Sequence, residues 1–228
     1  MTEPSRVEVT SELYGAVEKM YRDKTKMRVV PKDRSPLMRF VATNILSRGD
    51  IIDPDVFLQR YSTTIYLPFR GPIAFVTWDS KNGASSVTMS QRISTLAHEA
   101  QHVVQMGTTK RSRRAFATGY VLSPKYRCEC EIEAYKLSIA LAACRQVSGT
   151  TAYLAVPERG ALTVATSQEI ARAEAAAAYY AEALKNYGLG EKLEAKAEAA
   201  LREAAKTPFF GLDTKAGGYL MELLREHV

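Results

Sequence analysis

The sequence predicts an α+β protein, mostly helical, with a small β-sheet in its first half and a helical hairpin towards its C-terminus. Three observations carry that expectation. Apolar residues recur at helical spacing over several long segments. Two short runs rich in β-branched and aromatic residues, STTIYL (62–67) and IAFVTW (73–78), flank the turn residues PFRGP. Residues 167–206 are dominated by Ala, Glu and Lys and are interrupted by Gly188-Leu189-Gly190, the pattern of two helices joined by a tight turn.

Taken in order, TSELYGAVEKMYR (10–22) reads as a helix with Leu13, Val17 and Met20 or Tyr21 on one face. KMRVV before Pro31 reads as a first strand. PLMRFVATNILS (36–47) reads as a helix that opens with Pro36 in its first turn and closes before Gly49. The 62–67 and 73–78 runs form a hairpin or two adjacent strands, and Asp79–Gly83 is a turn. The next helix is the best defined. Thr88 and Gln91 fit a capping box, Gly107 is the stop, and Ile93, Leu96, Ala97, Ala100, Val103 and Val104 make one apolar stripe. A further helix is expected over about 126–147, and a last one over about 215–227. The composition shift after VSGTT divides the chain into a core, 1–150, and a helical region, 151–228, that packs on the core or on a partner.

Composition narrows the classes. The chain has 228 residues, 46% of them hydrophobic and 25% charged, ordinary for a globular protein. Its longest apolar runs, IAFV (73–76) and IALAAC (139–144), are too short to span a bilayer, so no membrane segment is expected. The opening MTEPSRVEVTSELYG has acidic residues and no apolar stretch, which argues against a secretion signal and for the cytoplasm. Three cysteines, Cys128, Cys130 and Cys144, are an odd set that suggests no disulfide framework. Cys128 and Cys130, two apart on a helix, point about 200° apart, so packing is preferred to metal binding. The net charge is +6, and Lys110, Arg111, Arg113, Arg114, Lys125 and Arg127 fall in one stretch without acidic residues. A solvated loop is the simpler reading, because no nucleic-acid-binding motif accompanies that charge.

Chemistry enters with His98-Glu99-Ala100-Gln101-His102, an HExxH motif. On a helix, residues four apart share a face, so both imidazoles can reach one ion at about 2.0–2.1 Å. The glutamate between them stands beside the open coordination position, where it can take a proton from a metal-activated water and pass it on. With only three histidines in the chain, about 0.003 copies of the motif are expected by chance, so the pair is informative. Zinc needs a third protein ligand. His227 is one residue from the C-terminus, which leaves a carboxylate: Glu129, Glu131 or Glu133, at the start of an otherwise apolar helix. First-turn acidic residues are common for dipole reasons alone, which accounts for one or two of the three.

HEAQH followed by EIEAY resembles the gluzincins, metallopeptidases in which a glutamate on a second helix completes the zinc site. Many of them show E-x-x-A-D, and Glu131–Tyr135 matches it through the alanine, with Tyr135 in place of the aspartate. The resemblance covers about 88–140 and implies a zincin-like fold, a Zn2+ cofactor and Glu131 as the third ligand, with Glu133 and then Glu129 behind it. It places Tyr135 beside a ligating histidine, without the negative charge an aspartate would bring. It also implies an edge strand along the cleft, for which Ile73–Trp78 is the candidate. An oxyanion donor is expected among Tyr120, Tyr126, Arg127, Tyr179 and Tyr180.

The expected activity is peptide-bond hydrolysis by a zinc metallopeptidase acting on a peptide or protein, with residues 107–125 shaping the cleft. The reading from a different class is a structural or assembly protein, such as a phage virion component, that keeps a metallopeptidase-like core and oligomerises through its C-terminal helices. A nucleic-acid-binding protein using the basic stretch ranks third.

Overall fold

The computed structural model describes residues 5–41, 43–44, 62–67, 70–77, 87–157 and 165–228. Among them the helices are α1 (Ser11–Thr25), α2 (Pro36–Val41), α3 (Met89–Met106), α4 (Lys110–Leu122), α5 (Pro124–Cys144), α6 (Ser167–Leu184), α7 (Glu191–Lys206) and α8 (Lys215–Glu226). The strands are β1 (Ser5–Glu8), β2 (Arg28–Pro31), β3 (Thr63–Leu67), β4 (Gly71–Val76), β5 (Arg145–Ser148) and β6 (Thr151–Val156). The protein is α+β and mostly helical. None of these helices is long and apolar enough to cross a membrane.

The strands form two three-stranded sheets. In one the order is β2-β4-β3, with β2 parallel and β3 antiparallel to the central β4. The Ile73–Trp78 segment therefore does not supply an edge: β4 is flanked on both sides, and β3 is the edge that touches α3. Trp78, the 79–83 turn and the far end of the 36–47 helix lie outside the described residues.

The second sheet, β1-β6-β5, was not expected. It corrects the helix end at 147, because α5 stops at Cys144 and Arg145–Ser148 is strand. Gly149, at φ 59°, turns the chain back so that Ser148 pairs with Thr151. TTAYLAV between that glycine and Pro157 carries a β-branched signal, but no Gly or Pro separates the preceding apolar helix from Arg145–Ser148. The basic stretch is also corrected: it is a helix, not a loop. Thr109 caps α4 reciprocally with Ser112, satisfying the first-turn donors of a segment whose charges had masked its start.

One apolar core joins most elements. Ile93, Leu96, Ala97 and Ala100 of α3 meet Leu137, Ile139 and Ala140 of α5 in it, together with Val17 and Tyr21 of α1 and Leu220 of α8. The hairpin of α6 and α7 packs on α5, with Ala173, Ala177, Ala197 and Leu201 inward. The turn Pro208–Asp213 then lies against α5 so closely that a Cβ on Gly211 would fall 2.1 Å from the Lys136 carbonyl oxygen. This packing fixes α5 against α3, and the chemistry sits on that seam.

Candidate metal centre

The seam is antiparallel. His98 meets Tyr135, Gln101 meets Glu133, and Gln105 reaches back to Cys130. That register carries Glu131 to the two histidines, and His98, His102 and Glu131 are all buried. The Nε2 atoms of His98 and His102 are 3.1 Å apart. Glu131 places Oε2 3.5 Å from His98 Nε2 and Oε1 3.4 Å from His102 Nε2.

Those separations can be tested against a metal. A tetrahedron with ligands about 2.0–2.1 Å from its centre has edges of about 3.3–3.4 Å. The observed separations, which use both oxygens of Glu131, are close to that edge, and one donor atom from each residue lies within 4.8 Å of the others. Glu131 Oε2 is moreover fully buried with no hydrogen-bond partner among the described residues, an orphan that a cation at the centre would satisfy. The trio is a group that could hold a metal ion, and it is the one such cluster found among the described residues. Two imidazoles and a carboxylate suit that role.

Electrostatics point the same way. Burial pushes the His102 imidazole down, but the Glu131 carboxylate, aided by Glu99 and Gln105, holds it up at about 9. Burial would likewise raise the Glu131 carboxyl, yet the facing imidazoles hold it well below the usual carboxylate range. Without an ion the site keeps a proton where a divalent charge would sit.

A second layer holds the ligands. His102 Nδ1 lies 2.8 Å from Gln105 Oε1, and the Gln105 amide donates to Glu133 Oε2 and to the Cys130 carbonyl, both at 3.0 Å. Glu133 also accepts from Gln101 Nε2 at 2.7 Å. It therefore braces the histidine helix, and Glu131 is the glutamate of the three that faces the two histidines. Glu129 is exposed and joins neither network. Tyr120 of α4 donates a short hydrogen bond to Glu131 Oε1, and its own hydroxyl is pushed well above its ordinary pKa by burial and by that carboxylate.

Glu99 is 3% exposed and accepts a 2.5 Å hydrogen bond from Thr64 Oγ1 on β3. The neighbouring Thr63 accepts from the fully buried Lys32 at 2.9 Å. Burial pulls the Lys32 ammonium down to about 7, against the opposing pull of Glu99. Arg113 of α4 spans Tyr66 on the same strand, 4.3 Å above its ring, and donates to its hydroxyl. The edge strand is thus fastened to the site from two sides.

Tyr135, in the aspartate position of the resemblance, meets His98 ring to ring with centroids 4.5 Å apart, while its hydroxyl lies 3.4 Å from that of Tyr187. It packs against His98 and brings no charge to it. Tyr126 packs against Phe116, and the exposed His227 contacts the Leu223 carbonyl, far along α8. The three cysteines are free and buried, Cys128 in the main core and Cys130 with Met106 and Phe116. Thr64, Lys32 and the bracing role of Gln105 were not foreseen. Gln105 had a signal, since it stands three residues beyond His102 on the same helical face; Thr64 and Lys32 had none.

His98 and Glu99 open into a groove of about 420 Å³ between α3, α5 and α6, walled by Tyr135, Tyr179, Tyr180 and Tyr187 and bounded just past the end of α5 by Arg145. This volume is that of a small-ligand or side-chain site. No family model, curated protein or solved structure matches the chain.

Proposed function

We propose that the chain is a zinc-dependent metallopeptidase of gluzincin type, in which His98, His102 and Glu131 hold the ion and Glu99 is the general base and acid. The observation that carries this reading is the buried His/His/Glu trio, close enough to share one ion, with a positioned carboxylate beside it. Zinc, when bound there, supplies Lewis acidity and lowers the pKa of water at the coordination position the protein leaves open.

The rest is work for the chain's own side chains. Glu99, oriented by the Thr64 hydroxyl, accepts the proton of the attacking water and delivers it to the departing amine. Gln105 and Glu133 fix the tautomer and tilt of His102. Tyr120 steadies Glu131 by donating its hydroxyl proton to Oε1, and burial beside that carboxylate keeps the phenol protonated. The edge strand β3 offers backbone groups for pairing with an extended peptide, as in a zincin-like cleft.

The deciding experiment is Glu99→Gln, assayed for peptide turnover and for bound zinc in parallel. Turnover is expected to vanish while about one zinc per chain remains, because Glu99 is not a ligand. Turnover surviving in this variant, or a wild type that takes up no zinc, overturns the reading.

A further inference from the structure

We infer that the tyrosine-walled groove receives an extended peptide and that Arg145, at its far end, captures a carboxylate of that peptide about four residues from the scissile bond. The inference rests on the hydrolase reading for the chemistry at the near end, and goes beyond it in naming the substrate.

The groove has a direction. Tyr135, Ser138 and Leu141 line it from α5 at intervals of three residues, one face of the helix, and Arg145, the first residue after the helix, closes it. Nine residues at 1.5 Å each carry α5 about 14 Å from Tyr135, which touches His98, to its end at Cys144, and Arg145 follows directly. An extended peptide covers that span in four to five residues at about 3.3 Å each. The walls suit such a chain. Tyr180 stacks on Tyr135 with centroids 4.5 Å apart and meets Tyr179 edge-on at 5.4 Å. Tyr179 is itself 70% exposed although it lines a groove, an aromatic surface held ready for a partner.

The ends differ in charge. Among the described lining residues Glu99 is the one acid, at the metal end, and Arg145 is the one permanent cation, at the other. Arg145 Nε is buried with no hydrogen-bond partner among the described residues. A buried guanidinium donor without an acceptor is costly, and a planar carboxylate is the acceptor whose geometry matches it. Acidic side chains close to the scissile bond are disfavoured by Glu99, whereas one at Arg145's distance is favoured.

The test uses paired fluorescent peptides, identical except for Glu or Gln, with that position scanned from the third to the sixth residue on either side of an aromatic-flanked bond. Binding is measured by anisotropy on the zinc-loaded Glu99→Gln variant. At one spacing the Glu peptide is expected to bind about tenfold or more tighter than its Gln twin. Arg145→Gln should make the twins equal, and Arg145→Lys should restore part of the preference. Peptides truncated at that spacing, as C-terminal acid and amide, tell a terminal carboxylate from a side-chain one. Equal binding at every spacing, or a preference that survives Arg145→Gln, overturns the inference. Cleavage by the wild type is scored separately. Cleavage without a Glu preference ends this inference and leaves the hydrolase; binding preference without cleavage does the reverse.

Discussion

The α3–α5 seam and the α6–α7 hairpin are both helices packed face to face, but they hold together by opposite means. In the hairpin the inward residues Ala173, Ala177, Leu184, Ala197, Leu201 and Ala205 are apolar and mostly small, so the helices approach closely, and the one buried acid, Glu169, is satisfied by the Thr166 cap. At the seam the buried set includes His98, Glu99, Gln101, His102 and Glu131. Burying such groups costs free energy unless each is hydrogen-bonded, and one oxygen of Glu131 has only the His98 imidazole at 3.5 Å and no hydrogen bond among the described residues. A helix pair chosen for stability alone would resemble the hairpin. The seam departs from that pattern at the trio that could hold a metal ion.

The largest effect expected from this contrast is at Glu131. Glu131→Gln keeps the shape but removes the charge that faces both imidazoles. Zinc affinity should fall by more than the roughly 10–100-fold that losing a mere supporting partner costs. The metal-free protein should also lose about 3–5 kcal/mol, as for a broken buried pair. Chelator competition and denaturant titration check both numbers. Wild-type affinity in this variant would mean that the seam is only packed, like the hairpin. The converse test is Leu201→Ala, which opens a cavity in the fully buried interior of α7. It should cost about 2–5 kcal/mol of stability and leave zinc affinity within about twofold, since it touches no ligand. A large change in affinity would show that the hairpin tunes the site and that the two regions are not separable.

Next in size is a dependence on pH. In the metal-free protein the His102 imidazole is held up at about 9, so at neutral pH it carries a proton that a metal must displace. Each proton expelled makes log affinity rise by about one per pH unit while the pH is below that value. Zinc affinity should therefore climb about 100-fold between pH 7 and 9 and then level off. Titration calorimetry in buffers of different ionisation heat measures both the slope and the proton released. A flat profile over that window would mean that Glu131 does not hold the proton on His102.

How much of this was legible follows the same division. The hairpin and α3 were readable because their signals are local: an alanine-rich run broken by Gly188 and Gly190, and a Thr88/Gln91 box ahead of a helical stripe. HExxH is local too, being one turn of one helix. The second sheet was not, because β1 and β6 lie far apart in sequence and pair only through the fold. The edge strand was misplaced for a related reason. Periodicity found β3 and β4, but only the parallel pairing of β2 decides which of them is central. Among the three glutamates, spacing left the choice open. The seam's antiparallel register resolves it by turning Glu131 towards the histidines and Glu133 towards the glutamines. Lys32 and Thr64 reach the site from segments with no motif at all.

The smallest of these effects, and the one that most sharpens the contrast, concerns Gln105. It touches no metal position, yet it links His102 Nδ1 to Glu133 and to the Cys130 carbonyl, so it holds one helix's ligand against the other helix. If the seam is a prepared site, Gln105→Ala should lower zinc affinity by about 10–100-fold, because the imidazole loses the partner that sets its tautomer and tilt. Stability should fall by only about 1–2 kcal/mol, for hydrogen bonds on a half-buried side chain. Gln105→Glu separates orientation from charge: it still accepts from His102 but repels Glu133, so it should recover part of the affinity and lose more stability. If the alanine variant instead cost stability and left affinity untouched, Gln105 would be a brace between helices, and the seam would be closer in kind to the hairpin than its polar interior suggests.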